Sequence, residues 1–222
     1  MSTFAEKYWG DCSKAVAYTL NFVQMSYASG SFTWTDYFDS VCPHYKDLSI
    51  QTKNFEFPKN SFSKKDYYQL QIGGYGVSQK LMEDMIAFGV ERENFKEIYY
   101  SRDHVTVLGY SISPVRKLPP IYEQNLYKKK CVCRKCNYYI YEAAASIAED
   151  KAYDDVGYPD YFSQEALDSL NMIAGKVESD DVIISLDLYN YLIPKYPRLE
   201  CRPVFLGNLK TDDREYLRLH KK

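Results

Sequence analysis

Val182-Ile183-Ile184-Ser185-Leu186-Asp187-Leu188-Tyr189-Asn190-Tyr191-Leu192 reads as a short buried strand running straight into a helix, with Ser185 at the junction. β-branched residues favour the strand. A serine side chain can accept an amide proton left unpaired at a helix start. Leu188 and Leu192, three and seven residues beyond Ser185, fall on one helical face. Pro194 and Pro197 stop the helix, and Cys201-Arg202-Pro203-Val204-Phe205-Leu206 is the strand that closes the unit.

The same pattern stands earlier in the chain. Tyr67 to Ile72 alternates as a strand, Gly73, Gly74 and Gly76 break it, and Ser78 occupies the N-cap position. Leu81, Met82, Met85 and Ile86 lay an apolar stripe along residues 79–88, and Gly89 is placed to end that helix. Leu81 and Met85 again lie three and seven residues beyond the serine. Ile98-Tyr99-Tyr100 resumes as a strand, and His104 to Tyr110 adds another. Two related units are therefore expected, over 67–100 and 182–206.

The expected class is α+β, with mixed or antiparallel sheets and short flanking helices in two related strand–helix–strand lobes of a single domain. Lobe 1 spans about residues 1–113. Pro114, Pro119 and Pro120 mark a stiff connector over 114–130, and lobe 2 occupies 131–222. Residues 15–23 suit a strand or a short helix. Ser163 is placed to cap a helix over 164–173 with Leu167, Leu170 and Ile173 on one face, and Thr211 to Lys222 reads as a charged terminal helix.

With 222 residues, 45% of them hydrophobic, the chain can bury its own core. A net charge of -2 supplies no global field that would draw nucleic acid. Thr3 to Tyr8 carries charges where a signal peptide would be apolar, and no run approaches the ~18 apolar residues of a membrane span, so a cytoplasmic protein with no membrane partner is expected. Six cysteines are too sparse for a disulfide scaffold. The 23 tyrosines suit either a wide, partly wet binding surface or a tyrosine-rich core.

The densest chemistry is Cys131-Val132-Cys133-Arg134-Lys135-Cys136-Asn137. A CxxC turn aims two sulfurs at one point, as tetrahedral zinc sites require, and Asn137 tolerates the positive φ that follows such a turn. Lys128, Lys129, Lys130, Arg134 and Lys135 favour the thiolates a metal needs. A second half-site stands at Cys42-Pro43-His44-Tyr45. Elsewhere, His44, His104 and His220 are scattered, and Gly73-Gly74-Tyr75-Gly76 lacks the spacing of a phosphate loop, so no catalytic constellation emerges.

Gly76-Val77-Ser78-Gln79-Lys80-Leu81, the cysteine segment, Val182-Ile183-Ile184-Ser185 and Leu199-Glu200-Cys201-Arg202-Pro203-Val204 together resemble the double-CxxC immunity proteins of bacterial polymorphic toxin systems. The resemblance covers roughly residues 40–208. It implies two CxxCG knuckles joined in one zinc ribbon. By position, Cys133 and Cys136 match the second knuckle, with Asn137 in place of Gly. Cys42 matches the first cysteine of the other, where Tyr45 replaces its partner; either His44 or Cys131 supplies the missing ligand, or the site has lost its zinc and kept only the fold. The implied function is a non-enzymatic immunity protein that binds a cognate toxin effector and occludes its active site. The acidic aromatic loop of Tyr153, Asp154, Asp155, Tyr158 and Tyr161 is the expected contact surface. The alternative is a zinc-ribbon module that binds nucleic acid through Lys128–Lys130, Arg134 and Lys135.

Overall fold

Both serines cap helices as expected. Ser78 Oγ accepts the Leu81 amide at 3.2 Å and Ser185 Oγ accepts the Leu188 amide at 3.2 Å. The structure is a computed structural model that describes residues 2–22, 25–26, 37–42, 45–59, 65–70, 73–118, 127–132, 139–143, 160–162, 164–175 and 181–206. For 25–26, 38–42, 45–50, 127–132, 139–143 and 160–161 the description is of the backbone.

In chain order the elements are α1 (Phe4–Trp9), β1 (Ala17–Leu20), β2 (Met25–Ser26), β3 (Phe38–Cys42), β4 (Tyr45–Gln51), β5 (Phe55–Phe57), β6 (Tyr67–Leu70), β7 (Tyr75–Val77) and α2 (Gln79–Phe88). There follow β8 (Phe95–Tyr100), β9 (Val107–Ile112), β10 (Tyr127–Val132), β11 (Tyr139–Ala143), β12 (Asp160–Phe162), α3 (Gln164–Ser169), β13 (Ile173–Gly175), β14 (Val182–Ser185), α4 (Leu186–Leu192) and β15 (Cys201–Leu206). The fold is α+β, as expected. The helix expected over 164–173 stops at Ser169, and Ile173 instead opens a strand.

One sheet has the order β2-β6-β7-β9-β8-β5, and the other, read from its far edge, β13-β14-β1-β15-β12. Strands β6-β7-β9-β8-β5 correspond one for one to β13-β14-β1-β15-β12. In each set the first three pairings are antiparallel and the last is parallel. The registers agree as well. Val77 faces Tyr110 where Ile184 faces Tyr18, Phe95 faces Ile112 where Cys201 faces Leu20, and Phe57 faces Tyr100 where Phe162 faces Leu206. Ser78 N donates to Asp66 O at 2.8 Å, and Ser185 N donates to Met172 O at 2.9 Å. A two-stranded hairpin precedes each set, β3–β4 before β5 and β10–β11 before β12.

The repeats differ in connectivity. β9 follows β8 through a six-residue turn over 101–106, whereas its counterpart β1 comes from the opposite end of the chain. The first lobe expected over 1–113 is corrected accordingly, because residues 17–20 form the middle strand of the second sheet. The proline connector begins as docked chain: Gly175 N donates to Arg116 O and Leu118 N to Gly175 O, both at 2.9 Å, along the outer edge of β13. Its residues 119–126 and the C-terminal helix expected over 211–222 lie outside the described residues.

Packing follows the duplication. The inner faces of both sheets, with α1, α2 and α4, share one core that includes Tyr18, Leu20, Val77, Leu81, Met85, Ile184, Leu188 and Leu192. Each outer face has a smaller core of its own. Where α2 meets α4, Phe88, ten residues after Ser78, stacks on Tyr191, six after Ser185, with ring centroids 4.5 Å apart. Lys195, ten residues after Ser185, reaches Asp84, six after Ser78, at 2.5 Å. The same two positions thus meet on both sides of an approximate twofold axis, once as an aromatic pair and once as an ion pair.

The outer cores compensate in volume at matched positions. Tyr68 pairs with Gly76, and the corresponding residues Ala174 and Ile183 also pair. A Cβ on Gly76 would sit 2.0 Å from Tyr68 Cε2, and that ring is fully buried with its hydroxyl donating to Val77 O at 3.2 Å. Gly76→Ala is therefore expected to destabilise by roughly 1–3 kcal/mol and Tyr68→Ala by roughly 3–5 kcal/mol. In denaturant titration the double variant Tyr68→Ala/Gly76→Ile, which copies the second repeat, should cost less than the sum. A fully additive result would contradict the matched packing.

Candidate functional site

Cys42 ends β3 opposite Tyr45, with Pro43 and His44 as the connection. Val132 and Tyr139 face each other at the end of β10–β11, and Cys133 and Cys136 fall between them in sequence. Cys42 and the backbone of Val132 thus end the first strands of the two hairpins that precede the repeats. Thiolate and imidazole donors are the ligand types that suit zinc. His44, Cys133 and Cys136 themselves lie outside the described residues, as do Tyr153, Asp154, Asp155 and Tyr158. Tyr161, read as part of a loop, is in β12 in register with Phe205. Among the described residues no group of three or more His, Cys, Asp or Glu is arranged to hold a metal.

The two remaining described thiols are held neutral. Burial, with Glu6 and Asp11 adding repulsion, pushes Cys12 up to about 11, and burial also raises fully enclosed Cys201. Neither supplies a thiolate at neutral pH.

Of the twelve tyrosines whose side chains are described, seven are buried: Tyr18, Tyr37, Tyr68, Tyr75, Tyr110, Tyr189 and Tyr196. Tyr18 stacks on Tyr189 with centroids 3.5 Å apart, and burial pushes Tyr189 up to about 12. Several phenols join the repeats: Tyr67 donates to Arg198 O, and Tyr196 donates to Asp84 Oδ2 at 2.7 Å. On the other side of the twofold, Ile173 takes the place of Tyr67 and is too short to reach across. A recess of about 10 Å³ remains there, lined by Gly89, Val90, Asn94, Met172 and Ile173, with room for about one water.

Among the described residues the longest exposed run lies in the turn between β8 and β9. Residues 102–107 are all exposed, with Val105 at 75% and Val107 at 41%. Asp103 braces it. Its Oδ1 accepts the amides of Val105 and Thr106 at 3.0 and 2.9 Å, and its Oδ2 accepts Thr106 Oγ1 at 2.6 Å. His104 adopts φ 56°, a left-handed conformation costly for a residue with a Cβ, and its Nδ1 lies 2.8 Å from Glu56 Oε1 on β5. Reading 104–110 as one strand missed this turn. The available signal was Asp103 three residues before Thr106, since a short carboxylate bonds readily to amides just ahead of it.

No family model matches the chain, and no curated protein does. No helix among the described residues is long and apolar enough to cross a membrane.

The bonds from Thr106 and Val105 hold the Asp103 carboxyl down to about 2. Because the folded value lies below the unfolded one of about 3.9, the bracing is complete above that pH and is lost as pH falls through the folded value. In proton–nitrogen correlation spectra the Val105 and Thr106 amides should titrate with a midpoint near 2. A midpoint near an ordinary carboxylate value would show that Asp103 does not hold the turn.

Proposed function

We propose that the chain is an immunity protein of the cytoplasm that binds a cognate bacterial toxin domain and occludes its active site without chemistry of its own. The observation that carries this reading is the repeat. Each unit joins a serine-capped helix to a matching sheet and follows a two-stranded hairpin, and Cys42 and the Cys133/Cys136 pair stand beside those hairpins in sequence, which suits the two knuckles that the resemblance to double-CxxC immunity proteins implies. A shared core and cross-braced helices make a stiff body, and a stiff binder loses little conformational freedom on docking.

In this reading Cys133, Cys136 and Cys42, with His44, hold a structural zinc that braces the two hairpins. Metal analysis of purified protein should find about one zinc per chain, lost in Cys133→Ser/Cys136→Ser together with a lowered melting temperature. Zinc-free wild-type protein with an unchanged melt in that variant would remove the brace from the account. Co-expression with the toxin domain encoded beside it should yield a one-to-one complex and protect the producing cell. Failure both to bind and to protect would overturn the proposal.

A second reading, a zinc-ribbon module for nucleic acid, rests on Lys128, Lys129 and Lys130 in β10 leading directly into the CxxC connection. It requires DNA or RNA binding that weakens steeply with salt.

A further inference from the structure

We infer that the chain is two units in tandem, residues 11–100 and 103–206, held together as the subunits of a strand-exchanged dimer, so that a second copy of this chain can supply either half. The inference stands independently of the immunity reading.

The difference in connectivity between the repeats disappears when each unit is read from its first strand. The first unit runs β1, β2, β3–β4, β5, β6, β7, α2, β8, and the second runs β9, residues 116–118, β10–β11, β12, β13, β14, α4, β15. Helices α1 and α3 lie outside the match. The two series agree in register. Ala17 faces Val204 where Gly109 faces Ile98. Beyond that strand the chain returns in each case to the edge of its own unit's sheet: Met25 pairs with Gln69 on β6, and Lys117 pairs with Gly175 on β13, both in parallel. Upstream of the strand, Asp11 Oδ1 accepts the Ser13 amide at 2.8 Å, as Asp103 Oδ1 accepts the Val105 amide at 3.0 Å. Asp11, Ala17, Leu20 and Met25 all stand 92 residues before their counterparts Asp103, Gly109, Ile112 and Lys117. One constant spacing across a turn, a central strand and an edge segment marks a tandem duplication.

Each unit therefore gives its first strand to the other. β9 lies between β7 and β8 of the first unit, and β1 lies between β14 and β15 of the second. Neither unit closes a sheet alone, because removal of the exchanged strand leaves two unpaired edges in its middle. Exchange of an identical element between equal subunits is a low-cost way to build a dimer. End-to-end joining of such subunits gives the order seen here, with residues 101–106 as the join. That join is a surface turn, exposed over 102–106. It ties together units that the exchanged strands and the α2–α4 contact already hold.

The test has two arms, both on the full chain. In the first, a protease recognition site is inserted between His104 and Val105. After cleavage the fragments should migrate as one particle of the intact size, and after unfolding in denaturant and return to buffer they should recombine, with β1 and β9 amides as protected as in uncut protein. In the second, deletion of residues 102–106 leaves Ser101 alone between β8 and β9, too short a link to reverse the chain. This variant should form a dimer of twice the chain mass by light scattering, each body made from the first unit of one copy and the second unit of the other. Cleaved fragments that part in buffer into separately folded bodies, or that fail to recombine after unfolding, overturn the inference. A folded monomer of the deletion variant overturns it too, and if that variant does not fold the cleaved fragments decide.

Discussion

Strand β1 occupies the middle of the second sheet, hydrogen-bonded to β14 on one side and β15 on the other, and the rest of the architecture depends on that placement. Its four residues are all buried. Ala17 belongs to the outer core, and Tyr18 and Leu20 belong to the core shared by both repeats. Without it, β14 and β15 would each expose an unpaired edge, and the inner face of that sheet would open to water. The chain thus uses its N-terminal segment to finish what its C-terminal segment begins. This ties sequence ends that are more than 180 residues apart into one sheet.

The duplication explains why the molecule is held rigidly. Two units that each bury one face of a sheet under one helix have a remaining apolar surface on that helix, and α2 against α4 covers both at once. Matched positions carry different chemistry across the approximate twofold: an aromatic stack between Phe88 and Tyr191, and a carboxylate–ammonium pair between Asp84 and Lys195. The exposed ion pair contributes little by itself, commonly under about 1 kcal/mol. The buried aliphatic residues supply most of the free energy.

Much of this was legible in the sequence, for physical reasons that differ element by element. Helix starts at Ser78 and Ser185 are local events, set by a side chain within three residues of the amide it caps, so spacing alone located them. Sheet membership is not local, and nothing within residues 15–23 indicates that β1 pairs with strands from the far end of the chain. Ile173 fits a helical stripe by spacing and yet forms β13, because its pairing with Ile184 outweighs local preference. Tyrosine count suggested a surface and a core equally, and seven of the twelve tyrosines with described side chains are buried. The site was less legible. Cys133 and Cys136 lie outside the described residues, and the braced turn at Asp103 was hidden inside an apparently regular strand.

The central claim is that the two repeats form a single cooperative body closed by β1. Native-state hydrogen exchange across a denaturant series measures this directly, by comparing amides of β1 with those of its counterpart β9. The account predicts that both sets open with the same free energy and the same denaturant dependence, at the level of global unfolding. Exchange of the β1 amides through a separate, lower-energy opening while β9 stayed protected would contradict it.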